Sequence, residues 1–599
     1  MTARSIVWSR WRAHHRAAVL VALASVLWLL DACGGLSNDV VCAQESTSQV
    51  RLRVLLVGED EEAVSYRAWR SLLEWEGVPH DAHVGAAAPL TAATLRDDTG
   101  AGAYQAIVLA AGTIGQEVLS PTERMALEQY ADDTGARIVH AFGAAPGAGL
   151  GPPAKLADVR LEVTEEGRAW FPEIVGPVVA GAAFGVLPAA APGATTLVAG
   201  PGGASVVSMR QVAGHDELYM TVAMASNEPA FGFLSHGLLG WATRGVHLGL
   251  RHHFFGVQID DVLLPNFRWD VEANKTSIDG DHVIRMTPDD VERAATWSDR
   301  QDFRLDLAVN GVGSTVENVH SHRLCQTLRS HVDDFGWINH TFSHRDFDDL
   351  SAEEITTEVA RNIEWAEVNG FPIDERELVT GENKGLGNPE IVDPLEDLGI
   401  AYIASDASRD PLPERLGRAW TVPRHPANIY YDTGTIEETL DQYDHRYRET
   451  CEGAFCLTSR PTFEEYLALE SANILKVING NDPRTFYMHQ ANLAEEGTLY
   501  PVLDAVLDRF RAVSRQPLLQ PTLAESGDAQ LERLAWQETL ADDAVTAYVE
   551  GGSVVIRSER DIRVPVTGAG DARYGVERSG WVRVRAGEEL RLPLTTAAH

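Results

Sequence analysis

Basic residues are scarce in this chain of 599 residues: 50 Lys and Arg stand against 87 Asp and Glu, a formal net charge of -37 at neutral pH. A nucleic-acid binder needs a basic face, so that class is excluded. An acidic exterior keeps a protein solvated and would suit a cationic partner. Cysteines are also few, five in all, and none has zinc-ribbon spacing. Cys451 and Cys456 stand close enough for a local disulfide, which fits an oxidising compartment. Cys325 reads as a small buried apolar residue. No internal repeat and no nucleophile elbow is present. The glycines between Gly143 and Gly151 match neither the dinucleotide fingerprint nor the P-loop, and read as a connection.

No apolar run is long enough to span a bilayer comfortably. The strongest, Ala17 to Leu30, follows Arg4, Arg10, Arg12 and Arg16 and has the length of a secretory h-region. It ends at Leu30-Asp-Ala-Cys33, which resembles a lipoprotein signal with Cys33 as the lipidated residue. Ordinary cleavage nearby and a retained anchor also fit, and all three readings export the body of the chain. The expected division is a signal over 1–33, a linker over 34–49, an α/β plus β-rich region over 50–249, a barrel over 250–525 and a small β-sandwich over 530–599.

The fold class expected is α/β and multidomain. Runs such as Arg51 to Gly58, Tyr104 to Ala110 and Ala136 to Ala141 alternate with helical spacing at 61–75 and 121–131, as in a flavodoxin-like layered domain. Short strands with turns between 152 and 230 either complete that domain or form a separate binding module. Strands at 303–309, 337–339, 400–404 and 484–488 with intervening helices suit a distorted (β/α) barrel. From about Leu531 the chain reads as β-rich.

Chemistry concentrates at Gly256-Val-Gln-Ile-Asp-Asp261, an apolar strand that stops at two carboxylates. In parallel α/β folds sites gather at such strand ends. A regular strand would point Asp260 and Asp261 to opposite faces, so a shared pocket requires the strand to break there. Two adjacent buried carboxylates need a cation or a proton between them. The missing ligands are found at His340-Thr-Phe-Ser-His344, whose imidazoles can meet one ion from a tight loop. A capping box at Ser351 and Glu354 starts a helix just beyond. Asp261, His340 and His344 are the proposed metal ligands, with zinc first and cobalt or nickel next.

Five segments carry a family resemblance: Gln258-Ile-Asp-Asp-Val262, His340-Thr-Phe-Ser-His-Arg345, Gly381-Glu-Asn-Lys-Gly-Leu-Gly387, Pro423-Arg-His-Pro-Ala-Asn-Ile-Tyr-Tyr431 and Phe486-Tyr-Met-His489. They resemble the NodB-homology polysaccharide deacetylases, and most closely the divergent fungal galactosaminogalactan deacetylases. The resemblance implies Asp260 as general base, Asp261 as metal ligand, His489 as general acid and Asp406 as the carboxylate orienting His489. The family's Asp-Trp and Arg-Pro motifs are missing. In place of the latter stands Glu382-Asn-Lys-Gly-Leu-Gly-Asn-Pro389, where Asn383 would line the site. Arg424, Tyr430, Tyr431 and Trp269 would border a sugar groove.

The function expected is metal-dependent hydrolytic deacetylation of an extracellular N-acetylhexosamine polysaccharide, with N-acetylgalactosamine units ahead of chitin. The partner would be that polymer; no nucleic acid is expected, and membrane contact only through an N-terminal lipid anchor. A glycoside hydrolase using Asp260 with Glu382, or a non-catalytic carbohydrate-binding lipoprotein, are the competing functions.

Overall fold

The computed structural model describes residues 49–594 except 86, 87, 213, 281, 316–318, 454 and 455. The expected signal, Cys33, Cys42 and all but the last residue of the expected linker lie outside them. Among the described residues no helix is long and apolar enough to cross a membrane.

The first strands, Val54–Gly58, His80–Val84, Ala106–Ala110 and Arg137–His140, pair in parallel. Helix Val64–Glu76 stops at Gly77, whose φ of 70° is the left-handed conformation that ends helices cheaply only at glycine. Helix Pro121–Thr134 starts from a Ser120–Glu123 capping box. The strands between Ala154 and Ala223 extend the same sheet to ten strands, Asp216–Met220 pairing in parallel with Arg137–His140. They complete the N-terminal layer; they do not stand apart.

Helix Pro229–Ala242 follows, and the sequence pattern did not announce it. Twelve of its 14 residues are buried, so no polar face remains to give it a helical period. A continuous apolar core runs from Leu56 through Phe231, Leu234 and Leu238 of this helix to Ile259 and Met488.

Seven parallel strands then close a barrel. They are β1 (Val257–Asp260), β2 (Leu305–Val309), β3 (Gly336–Asn339), β4 (Glu377–Leu378), β5 (Tyr402–Asp406), β6 (Ala419–Pro426) and β7 (Phe486–His489). They lie in chain order, with β7 pairing back onto β1 and β6 onto both β5 and β7. Helix Ala352–Asn369 has the expected Ser351–Glu354 capping box and ends at Gly370 with φ 74°.

Where β structure was expected from Leu531, helix Leu523–Ala541 continues instead. A Thr522–Glu525 capping box starts it, and Leu523 packs with Val379, Ala404 and Val422 of the barrel. The β-rich segment begins at Val545 and forms two small sheets around Ala547, Val554, Ile556, Val564 and Val566. Cys451 and Cys456 form a disulfide, and Cys325 is buried.

Candidate active site

The strand breaks where the carboxylate pair requires it. β1 ends at Asp260, and Asp261 takes a left-handed φ of 65°. A non-glycine residue held there costs on the order of 1–3 kcal/mol, which the surrounding contacts must offset. Both carboxylates then act on the same two imidazoles, His340 and His489.

Asp260 is 4 % exposed and Arg424 is fully buried beneath it. The guanidinium donates to both carboxylate oxygens, Nη1 to Oδ1 at 3.0 Å and Nη2 to Oδ2 at 2.9 Å. It also donates to Gln258 Oε1 at 3.2 Å and Asn383 Oδ1 at 3.1 Å. Burial by itself would raise the Asp260 pKa; Arg424, helped by His340, outweighs it and holds the carboxyl below its ordinary value. Arg424 thus acts on Asp260 from within the barrel, and the sugar-groove role expected for it is corrected: a fully buried guanidinium with four acceptors does not reach substrate. Asn383, with φ 53°, sits at the edge of the same network.

His340 follows β3 directly. Its Nδ1 donates to the Val379 carbonyl at 3.0 Å, which leaves the Nε2 lone pair free to ligate. His344 returns to the same point because Thr341 and His344 both take left-handed φ values, 60° and 56°. The loop is clamped from below. Asn310 Nδ2 donates to the Thr341 carbonyl at 3.1 Å, the Thr341 N–H donates to Asn339 Oδ1 at 3.0 Å, and Ser343 donates to Glu358 through N–H and hydroxyl. Gly381 allows the close approach of the 381–384 turn, since a Cβ there would stand 3.1 Å from His344 Nδ1.

Nε2 of His340 and Nε2 of His344 each lie 3.2 Å from Asp261 Oδ1. Asp261, His340 and His344 are the one group of three such side chains, among the described residues, with ligand atoms mutually within 4.8 Å. One carboxylate oxygen and two imidazole nitrogens facing a common point fit zinc, cobalt or nickel and leave positions open. Against the opposing push of burial, His340 and His344 hold Asp261 well below the usual carboxylate range.

His489 ends β7 in register with Asp260. Burial lowers its pKa, while Asp261 and Asp260 pull the other way. The expected orienting pair with Asp406 is not formed. Asp406 Oδ1 accepts the Ser408 N–H and hydroxyl at 2.8 and 2.7 Å, and Oδ2 accepts the Tyr487 hydroxyl at 3.3 Å. A serine two residues on folds back onto the carboxylate and occupies it. Tyr487 in turn carries the Arg424 guanidinium over its ring at 4.6 Å.

Two of the expected groove aromatics also have other work. Trp269 is 6 % exposed and its indole N–H donates to Asp441 at 2.8 Å. Tyr430 has a buried hydroxyl and the Arg446 guanidinium 4.6 Å over its ring. Its neighbour Tyr431 is the exposed aromatic, with its ring 5.7 Å from that of His489. Asn310, Asn339 and Glu358 went unread in the sequence as supports of the site, because isolated amides and acids carry no spacing signal.

The site thus lies in a closed seven-stranded parallel barrel with aspartates and histidines at its strand ends. Residues 325–505 match the family described as the Agd3 deacetylase domain, and that segment is similar to it. The crystal structure of Agd3, a novel carbohydrate deacetylase, aligns over 92% of this chain and 99% of that chain, with 16% identity and a TM-score of 0.75. At this identity the likeness establishes the fold. A family 4 acetyl xylan esterase from Clostridium thermocellum with a cobalt ion aligns over 47% of this chain and 91% of that one, with 13% identity and a TM-score of 0.25. A family 4 pseudoenzyme from Bacillus anthracis aligns over 43% and 62%, with 12% identity and a TM-score of 0.24. No curated protein matches the sequence.

Proposed function

We propose that this protein is a metal-dependent deacetylase that hydrolyses N-acetyl groups from an extracellular N-acetylhexosamine polysaccharide, with N-acetylgalactosamine polymers ahead of chitin. The observation that carries the reading is the division of labour between adjacent carboxylates: Asp261 Oδ1 faces two imidazoles, while Asp260 is held ionised by Arg424. A divalent ion held by Asp261, His340 and His344 supplies the Lewis acidity that polarises an acetamide carbonyl and acidifies water.

Asp260 takes the proton of the attacking water, a role for which its ionised form is required. The C–N bond breaks, its electron pair stays on the sugar nitrogen, and that nitrogen takes a proton from His489. His489 donates only in its protonated form, which burial disfavours and the carboxylates of Asp261 and Asp260 partly restore. Tyr431, exposed beside His489, offers a face for a pyranose ring. The Cys451–Cys456 disulfide supports an exported location, where a biofilm or wall polymer would be the substrate.

A retaining or inverting glycosidase needs one carboxyl kept protonated. Both Asp260 and Asp261 are held below their ordinary pKa, and the Glu382 side chain is 70% exposed, which disfavours that reading. The test is acetate release from N-acetylgalactosamine-containing polymer and from chitin, before and after chelation, with metal add-back. The expected result is release that is lost on chelation and restored by zinc. Polymer that keeps its acetyl groups with metal bound, or is cut into shorter chains regardless of chelator, would overturn it.

A further inference from the structure

We infer that Asn266 and Gln490 form a brace that dedicates one oxygen of Asp261 to the metal and locks its position to that of His489. This rests on the metal reading of the site given above.

Asp261 has two carboxylate oxygens with different surroundings. Oδ1 faces His340 and His344. Oδ2 accepts a hydrogen bond from Asn266 Nδ2 at 2.8 Å. The Asn266 amide is oriented in turn, because its Oδ1 accepts from Gln490 Nε2 at 2.7 Å. Gln490 is itself fixed at both ends of its amide. Nε2 also donates to the Ile284 carbonyl at 2.9 Å, and Oε1 accepts the Met286 N–H at 2.6 Å. Asn266 and Ile284 exchange backbone hydrogen bonds, both at 2.9 Å, so the segment carrying the amide is held too. Gln490 is fully buried and Asn266 is 6 % exposed.

An ionised carboxylate can bind a metal through one oxygen or two, and a donor on one oxygen decides between them. With Oδ2 occupied by an amide, Asp261 is left as a one-oxygen ligand through Oδ1. That mode suits the low coordination number of a zinc-type site better than an oxygen-rich shell. The brace also has a second end. Gln490 is the residue after His489 and lies in the turn Gln490–Asn492, which is held by the His489 N–H donating to Asn492 Oδ1 at 3.1 Å. Asn492 Nδ2 donates to the Tyr430 carbonyl at 2.7 Å, one residue before the exposed Tyr431. One buried polar chain therefore sets the ligand that binds metal against the histidine that meets the leaving group. Neither Asn266 nor Gln490 touches the reacting atoms; both are positioning residues.

The experiment measures zinc affinity by competition with a chromophoric chelator, and the visible spectrum of the cobalt-loaded protein, in the full chain. Asn266→Leu removes the donor at similar volume, Gln490→Leu removes the support behind it, and the double variant combines them. Thermal unfolding controls for the fold, and Asn266→Ala, which also removes the donor, stands in if Asn266→Leu does not fold. Removing an outer partner of a metal ligand costs about 10–100-fold in affinity. Each single variant is expected to lose that much and to shift the cobalt bands. The double variant is expected to lose little more than Asn266→Leu alone, because residues in one chain are not additive. Wild-type affinity and spectrum in a folded Asn266→Leu or Asn266→Ala would overturn the brace while leaving the metal reading intact. Fully additive losses would overturn the link between the two residues. Absence of zinc binding by the wild-type protein would overturn the metal reading itself, and the brace with it.

Discussion

Two sheets in this molecule bring histidines and acids together, and one of them forms a candidate metal site. At the ends of the N-terminal strands, His140, His215, Glu217 and Tyr219 converge. There only some of the groups pair, and Nε2 of His140 and of His215 is left buried without a hydrogen bond. The Tyr219 hydroxyl donates to Glu217, His215 Nδ1 pairs with Asp132 at 2.7 Å, and the His140 ring stacks on Tyr219 at 4.5 Å. The two Nε2 atoms stand 3.5 and 3.7 Å from one oxygen of Glu217, outside hydrogen-bond range. At the barrel end, the corresponding atoms of His340 and His344 close to 3.2 Å on one oxygen of Asp261. The difference lies in the backbone. Left-handed turns at Asp261, Thr341 and His344 gather the barrel set, and a buried scaffold of amides holds them. Collecting metal-binding residue types is not sufficient; their ligand atoms have to be aimed closely at one point.

The comparison breaks most sharply at Asp260. Asp260→Asn should lower deacetylation by about 10²–10⁴-fold, as loss of a general base does, while zinc binding in a competition assay stays near wild type. Equal loss of metal would instead make Asp260 a ligand. Arg424→Met should come next. It leaves a buried carboxylate without its partner, which costs about 3–5 kcal/mol of unfolding free energy, read by denaturant melts, and it should raise the Asp260 pKa so that the activity profile shifts to higher pH. Glu217→Gln sharpens the other side. It should leave acetate release unchanged and cost about 1–3 kcal/mol in stability, the effect of disturbing a satisfied buried polar group.

The smallest effect concerns the junction between these regions. His236 lies between Glu76, at 2.9 Å, and Glu577, at 2.8 Å. Burial disfavours its charge, but Glu577 and Glu76 dominate and raise its pKa well above the ordinary 6.5. Its contribution is therefore full below that ordinary value and is lost as pH rises through the raised one. Glu76, buried but held down chiefly by His236, sits far below its ordinary 4.5. Its contribution is present above 4.5 and is lost as pH falls through the lowered value. Thermal stability should form a plateau near neutrality and decline on the alkaline side, and His236→Gln should remove part of that alkaline decline.

The sequence by itself determined the parallel strands, the strand break at Asp260–Asp261, the His340–His344 pair and the helix cap at Ser351. These are local matters: apolar period, turn chemistry and short spacings decide them within a few residues. It also pointed to His489 through a resemblance that the barrel register then placed opposite Asp260. The tertiary structure alone decided the partners. Arg424 is 164 residues from Asp260, Gln490 is 224 from Asn266, and Glu577 is 341 from His236. No spacing rule links such positions, because barrel closure, not chain proximity, sets their distance. For the same reason Trp269 and Arg424 looked like groove residues and proved to be buried, and Asp406 looked free and proved to be occupied. A helix hidden on nearly every side, like Pro229–Ala242, shows no period at all. Residue type and local order announce where chemistry is available; burial and long-range hydrogen bonds decide which of those groups are left free to perform it.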